Sequence, residues 1–117
     1  MAEDLAHRTL NFALSVVKLF SALEKSAEAQ VIGKQMLRSG TSVGAHYREA
    51  SRARSKQEFV AKIDGGLQEL EETRYWLDLL QLSGIVDTLK IAPLAQEAKE
   101  LTAILTVMSK NTKAKIT

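Results

Sequence analysis

The 117-residue sequence contains no cysteine, which excludes a disulfide framework and any metal site built on thiolates. A chain without cysteine fits a reducing compartment, so we expect a cytoplasmic protein. Its first ten residues carry acids and a histidine where a secretory signal would carry basic residues followed by an apolar run. No stretch reaches the roughly 20 uncharged apolar residues of a membrane-spanning helix. We therefore expect neither a targeting segment nor a membrane role.

Residues that interrupt helices are also scarce. The chain has a single proline, Pro93, and six scattered glycines, so most of it is free to be helical. Hydrophobic residues make up 45% and charged residues 26%, which is typical of a soluble globular domain. A chain of this length can bury about two-thirds of its unfolded surface, so one core is expected.

Apolar residues recur at helical spacing along the first segment. One stripe follows a 4-3-4-3-4 pattern and contains Leu5, Thr9, Phe12, Val16, Leu19 and Leu23. A second stripe beside it contains Ala6, Leu10, Ala13, Val17 and Phe20. Together they form an apolar arc wider than the roughly 100° that one core contact needs. The pattern predicts additional burial of this helix, against another subunit.

The whole pattern predicts one domain over residues 1–117, with helices at roughly 3–23, 27–53, 55–82 and 88–110. Ser26 is the expected N-cap of the second helix, and Ser55 with Glu58 matches a capping box that should begin the third. Ser83-Gly84 should end the third helix. Short connections make sequential helices antiparallel neighbours, so the expected fold class is all-α, an up-down-up-down four-helix bundle.

Residues for catalysis are few. The nearest arrangement is Ser42, His46 and Glu49 on the second helix, but side chains on one helix project side by side, with no elbow to expose the serine and no oxyanion donors. His46 and Glu49 form a single i,i+3 pair, whereas a metal site in a bundle needs ligands from facing helices. Gly65-Gly66 follows no strand, so it is no phosphate loop. We predict no enzyme, no metal and no cofactor.

The most informative feature is a set of basic residues. A helical projection places Lys34, Arg38, Arg48 and Arg52 within an arc of about 80° opposite the core, and Arg54 and Lys56 extend this stripe into the following turn. Like charges at i,i+4 cost a few tenths of a kcal/mol, which an anionic partner would offset. Two interpretations remain open: a surface for RNA or DNA phosphates, or a solvated face neutralised by acids of the third helix such as Glu69 or Glu72.

Apolar residues outside the predicted core suggest self-association. On the third helix, Trp76 and Leu79 fall away from the inward face, so a monomer would expose a large aromatic ring unless Trp76 covers the edge of the core. Arg74 lies near the inward face, where a buried arginine would need a carboxylate. The predicted oligomer interface comprises Leu10, Val17, Phe20, Arg74, Trp76 and Leu79.

The central sequence resembles a known family. The segment from Gln35 to Ala45, continuing to Glu49, Ser55-Lys56 and Phe59, resembles the bacterial four-helix-bundle family named for proteins encoded in 23S rRNA intervening sequences. Downstream, Gly65, Leu67, Glu69 and Leu70 fit the next block of that family. The resemblance implies a homopentameric ring, no known enzymatic activity, and relatives among the accessory proteins of diversity-generating retroelements, which look like binders of nucleic acid and reverse transcriptase.

The sequence departs from the family pattern at the end of the second helix. It carries His46-Tyr47-Arg48-Glu49-Ala50 in place of the usual Asn-Ile-Ala-Glu-Gly, and an arginine-rich turn replaces the usual glycine-containing one. The leading hypothesis is therefore a non-catalytic, oligomeric protein that contacts RNA or DNA phosphates through the basic stripe. The alternative is a module for protein–protein interaction or a structural scaffold without a nucleic-acid role.

Overall fold

The computed structural model describes residues 4–116, which form four helices and no strand: α1 (Leu5–Ala22), α2 (Ala27–Ser51), α3 (Lys56–Leu82) and α4 (Thr88–Lys113). Each helix packs against its neighbours in sequence, and α1 also meets α4. The expected all-α four-helix bundle is confirmed. Glu3, the predicted first residue of helix one, lies outside the described residues. None of the helices in the described part combines the length and apolar character needed to cross a membrane.

Contacts between helices show that consecutive helices are antiparallel. The α1–α2 contact runs from Leu23 beside Gly33 to Thr9 beside Gly44, so the residue numbers change in opposite directions along the two helices. The α3–α4 contact includes the bond from the Ser109 hydroxyl to Asp64, near the start of α3 and the end of α4. The C-terminal ends of α2 and α4 and the N-terminal end of α3 therefore lie at the same end of the bundle.

Side chains cap three of the helix N-termini. Ser26 Oγ accepts from the Ala29 N–H at 3.3 Å, and Ser55 Oγ accepts from the Glu58 N–H at 3.0 Å, as predicted. The second half of the predicted capping box is different, because the Glu58 carboxylate accepts from the N–H of Arg54 at 3.1 Å and not from that of Ser55. Glu58 therefore fixes the α2–α3 turn through Arg54, the residue before the N-cap, whereas a standard capping box bonds the N–H of the N-cap residue itself.

The core is one continuous cluster formed by all four helices. Leu19, Ile32 and Phe59 pack against this cluster but are only partly buried. Ser39 and Thr73 are fully buried polar residues at the α2–α3 contact, with their hydroxyl oxygens 2.7 Å apart. Because the Thr73 hydroxyl donates to the Glu69 carbonyl, the Ser39 hydroxyl is the donor in this pair. The most deeply buried large side chains are Phe12, Met36, Ile63, Leu70, Leu77, Leu80, Ile91, Leu101 and Leu105.

Glycines let α1 approach α2 closely. A Cβ atom added to Gly40 would lie 2.8 and 2.9 Å from the two methyl groups of Val16, and one added to Gly33 would lie 2.4 Å from a methyl of Leu23. On the other side of α2, a Cβ at Gly65 of α3 would lie 2.6 Å from the His46 ring. Gly40 therefore permits the close approach of α1 and α2. The helix α2 is therefore held at short range by both neighbours.

The contact between α1 and α4 is the weakest of the four contacts between neighbouring helices. A groove of about 310 Å³ separates them, with Phe12, Leu19 and Leu94 among its lining residues. Arg8 bridges the gap, because its Nε donates to Glu97 at 2.7 Å and its Nη2 donates to Glu97 at 2.9 Å and to Glu100 at 2.7 Å. Glu97 is the main reason that the pKa of Arg8 lies above its ordinary value. Ion pairs of Arg8 with two glutamates thus join α1 to α4 where apolar packing between these helices is sparse.

We expect Gly40→Ala to destabilise the protein by roughly 1–3 kcal/mol. The new methyl group must displace Val16, which is fully buried and has few alternative rotamers, and this strain exceeds the gain of up to ~1 kcal/mol in helix propensity. Gly66→Ala is the matched control, since its nearest non-local atom is 3.5 Å away, and it should be neutral or stabilising. Urea unfolding of both variants measures the difference; equal effects would contradict the close-packing argument.

Candidate nucleic-acid interface

The outward strip of α2 carries the predicted basic residues. Lys34, Arg48 and Arg52 are exposed, on the side opposite the buried Met36 and Val43. Both flanks of α2 are occupied by α1 and α3, so this strip is the part of the helix left to solvent. The sequence-based placement of these side chains on the outer face agrees with the structure.

Arg38 is the exception within the stripe. Its Nη1 lies 3.3 Å from Glu69, and its Nη2 donates to Glu72. The hydrogen bond to Glu72 is the main reason that the pKa of Arg38 is raised, and the same bond, followed by one from Trp76, lowers the pKa of Glu72. Arg38 therefore belongs to a solvated face neutralised by acids of the third helix, which is the second interpretation of the basic stripe. We therefore leave Arg38 out of the candidate surface.

Further ion pairs lie between the middle of the bundle and the α2–α3 turn. Lys62 of α3 lies 3.3 Å from Glu49 of α2, and Lys113 of α4 lies 3.2 Å from Asp64 of α3. Arg38 lies between Lys34 and Arg48 and divides the basic stripe. Lys34 and Arg48 are about 21 Å apart along the helix axis, at ~1.5 Å per residue. Lys34 is thus an isolated exposed cation, separate from the residues near the end of α2.

A cluster of unpaired cations occupies the end of the bundle at the α2–α3 turn. Arg48, Arg52, Arg54 and Lys56 are all exposed, and none of them pairs with a carboxylate in the described residues 4–116. The Glu58 side chain bonds to the backbone of Arg54, so the guanidinium of Arg54 keeps its charge unpaired. We call these four residues together with Lys115 the basic end.

Lys115 belongs to the basic end because the C-terminal end of α4 reaches the same turn. The Lys56 Nζ lies 3.5 Å from the carbonyl oxygen of Lys115. The sequence-based prediction of the basic stripe did not include Lys115. The antiparallel order of the helices was the available signal, because it places the end of α4 beside the start of α3.

A groove of about 510 Å³ lies within the basic end. Its rim carries Arg54, Lys56 and Lys115, and Phe59 is the aromatic residue among its lining. The Phe59 side chain packs against the core yet is partly accessible. The remaining lining residues are small or polar: Ala50, Ser51, Ala53, Ser55 and Thr112.

The side chains of Ser42, His46 and Glu49 do not form a catalytic arrangement. The Ser42 hydroxyl donates to the Arg38 carbonyl at 2.7 Å, and the His46 Nδ1 lies 3.0 Å from the Ser42 carbonyl oxygen, which makes this nitrogen the donor. Glu49 is paired with Lys62. In residues 4–116, no group of three His, Cys, Asp or Glu side chains is placed to hold a metal ion.

Exposed apolar residues lie on α1, where part of the oligomer interface was predicted. Leu10 and Val17 are 43% and 40% exposed, and Leu14, which the sequence analysis did not single out, is 49% exposed. Their 4-3 spacing places all three on the outer side of α1. Phe20 is instead partly buried over Gly33.

The predicted interface residues on α3 are less exposed than expected. Trp76 is partly buried against the core, and its Nε1 donates to Glu72 at 3.0 Å, so the ring covers the edge of the core. Leu79 is partly buried, and the exposed aromatic residue is Tyr75, whose ring centroid lies 5.0 Å from that of Trp76. Arg74 is 40% exposed with its Nη1 4.0 Å from Glu71, so it needs no buried carboxylate.

Comparison with known proteins assigns the family. The sequence profile of the 23S rRNA-intervening sequence proteins matches residues 3–107. The chain belongs to the 23S rRNA-intervening sequence protein family. A crystal structure from this group is similar: a protein of unknown function from the S23 ribosomal protein family of Bacteroides thetaiotaomicron, 34% identical, with a TM-score of 0.85 over 90% of this chain and 97% of that one. No curated protein matches this chain. The resemblance recognised in the sequence is confirmed.

In this intervening-sequence protein, Glu72→Gln should lower the free energy of unfolding at pH 7 by up to about 1 kcal/mol, as expected for a surface ion pair. Arg38 and Trp76 hold the pKa of Glu72 below its ordinary value of 4.5, so the stabilisation is present above that value and is lost as the pH falls through the lowered pKa. Urea unfolding between pH 7 and pH 3 should show the variant and the parent converging.

Glu71→Gln is the matched control for this experiment, because Glu71 is 74% exposed and lies 4.0 Å from its nearest cation. It should change the free energy of unfolding little at any pH. A constant gap between Glu72→Gln and the parent down to pH 3 would show that the carboxylate charge is not what stabilises this contact.

Proposed function

We propose that this intervening-sequence protein is a non-catalytic, oligomeric binding protein that contacts RNA or DNA phosphates through the basic end. The observation that carries the proposal is the concentration of exposed, unpaired cations there, while Arg38 and Lys62 elsewhere on α2 and α3 are matched by acids and Lys34 stands alone. The net charge of the chain is only +2, so the attraction for a polyanion comes from the local arrangement and not from bulk charge.

The energetics of the basic end support an anionic partner. Arg48 and Arg52 are one helical turn apart, and they repel each other by a few tenths of a kcal/mol without an anion between them. Phosphate oxygens accept charge-assisted hydrogen bonds from guanidinium and ammonium groups, and each such contact releases a condensed counterion. RNA and DNA both present such phosphates, so this chemistry would recognise either polyanion.

A triple variant, Arg48→Glu with Arg52→Glu and Arg54→Glu, should weaken binding to nucleic acid by roughly 30-fold or more at low salt, because three attractive contacts become repulsive. Fluorescence anisotropy with a labelled RNA of mixed sequence at 50 mM salt is the measurement. For the parent protein, the logarithm of the association constant should fall with the logarithm of salt concentration, with a slope of about −3 for four phosphates on a single strand.

The control carries the same change of net charge at another place. Lys18, Lys25 and Lys99 are exposed, and none is paired with a carboxylate within the described part of the chain, so their triple change to Glu should leave most of the affinity intact. Equal losses in both triple variants would mean that only bulk charge matters. Undiminished binding by the arginine variant would refute the proposed surface.

We also propose self-association through α1 and α3. Leu10 and Val17 lie on α1, whereas Trp76 and Leu79 lie on α3, and these two helices are diagonal in the bundle and do not contact each other. Two different faces of one chain cannot form a single two-fold interface, so the α1 face of one copy would meet the α3 face of the next. Head-to-tail contacts of this kind close into rings, which agrees with the homopentamer that the family resemblance implies.

Leu14→Glu should dissociate this oligomer, since it places a charge at the centre of the exposed apolar face of α1 without touching the core. Sedimentation equilibrium should give about five times the 12.9 kDa chain mass for the parent and one chain mass for the variant. Val31→Glu, at an even more exposed apolar position on α2, is the control and should keep the parent mass. A parent protein with the mass of one chain would overturn the proposal.

The alternative function is that of a protein-interaction or scaffold module, for which the exposed apolar residues on α1 are the favouring observation. The nucleic-acid experiments separate the two functions, because a scaffold without a nucleic-acid role would bind neither RNA nor DNA in a salt-dependent way. We further propose that the protein acts in the cytoplasm, in line with the absence of cysteine.

A further inference from the structure

The groove of the basic end differs from a plain phosphate-binding surface in its composition. A ridge of cations alone would serve duplex and single-stranded nucleic acid equally well, because both present a phosphate backbone. Here the cations of Arg54, Lys56 and Lys115 surround a depression of about 510 Å³, and the lining between them includes Phe59 and two alanines. This volume is within the range of pockets that hold small organic ligands.

The groove lies beside the N-terminal end of α3, but the proposed ligand binding does not depend on this helix terminus. The first turn of α3 is already capped, since the Glu58 N–H donates to Ser55 and the Arg54 N–H donates to Glu58. These two backbone groups are therefore engaged, and the side chains that line the groove supply its charge and its apolar surface. The side chains that line the groove include three cations, one aromatic ring and small or hydroxyl-bearing residues.

We infer that this groove accepts an unpaired nucleotide, with the base against Phe59 and the flanking phosphates on Arg54, Lys56 and Lys115. The inference rests on the proposed function and makes it more specific: the preferred ligand is single-stranded nucleic acid or an unpaired loop. A paired base is stacked inside a duplex and cannot enter the groove, whereas an unpaired base presents its flat face. Contacts of this kind tolerate any base, because every base has a π-face.

The test compares the parent protein on three ligands of one sequence, a 12-nucleotide single-stranded RNA, the same sequence as single-stranded DNA, and the RNA duplex, by fluorescence anisotropy at fixed salt. Single strands should bind about tenfold more tightly than the duplex, in line with the contribution of one stacked base. Equal binding of RNA and DNA single strands is expected for a stacking site, and a preference for RNA would add a contact to the 2′-hydroxyl. Duplex binding as tight as single-strand binding would overturn the inference.

Phe59→Leu tests the role of the ring while keeping an apolar side chain at a position that packs against the core. It should weaken single-strand binding about fivefold or more and leave duplex binding unchanged, which removes most of the preference. Tyr75→Leu, at an exposed aromatic position on α3, is the control and should keep the preference. Circular dichroism and thermal unfolding check that each variant is folded.

Failure of the inference can be told from failure of the proposed function. If the arginine triple variant loses binding while Phe59→Leu keeps the full single-strand preference, the basic end binds phosphates but the groove holds no base. If the arginine triple variant binds every ligand as the parent does, the proposed surface itself is wrong, and the inference fails with it.

Discussion

The close packing of α2 between α1 and α3 is the constraint on which the rest of the structure depends. Glycines at the α1 contact and the buried Ser39–Thr73 hydrogen bond at the α3 contact bring the helices together at short range. This packing buries two sides of α2 and leaves a single outer strip, which is where its lysines and arginines lie. The surface chemistry of the protein is thus a consequence of how its core is assembled, because no other face of α2 is available to charged side chains.

The pairing of cations with acids differs along the length of the bundle. In the middle of the bundle, acids of α3 neutralise Arg38 of α2, and nearer the α2–α3 turn Asp64 pairs with Lys113 of α4. Within the described residues, the cations Arg48, Arg52, Arg54 and Lys56 are left without carboxylate partners. The one acid in that turn, Glu58, is used by the backbone of Arg54. This arrangement orders the turn while preserving its positive charge, which is the combination that a phosphate-binding surface requires, since a preordered cation loses less side-chain and backbone freedom on binding.

The fold was predictable from sequence because its signals are local and repeated. Apolar spacing, the serine caps and Ser83-Gly84 identified the helices, and residues such as Gln35 to Ala45 pointed to the family. The site was less predictable, because pairing depends on distances between helices. A helical projection of α2 treats Arg38 and Arg48 alike, yet only Arg38 faces acids of α3. Likewise, the meeting of Lys115 with Lys56, and the groove beside Phe59, depend on where α4 ends relative to α3.

The sparse contact between α1 and α4 has a consequence for how the protein responds to dilution. Because α1 packs mainly on α2, α4 packs mainly on α3, and the two meet each other sparsely beside the Arg8 ion pairs, α1 and α4 are the helices expected to open locally at the lowest free energy. Of these two helices, α1 carries the exposed leucines and valine of the proposed subunit contact. Assembly would therefore stabilise one of the two less tightly packed helices of each chain, and folding and subunit association would be thermodynamically linked through α1.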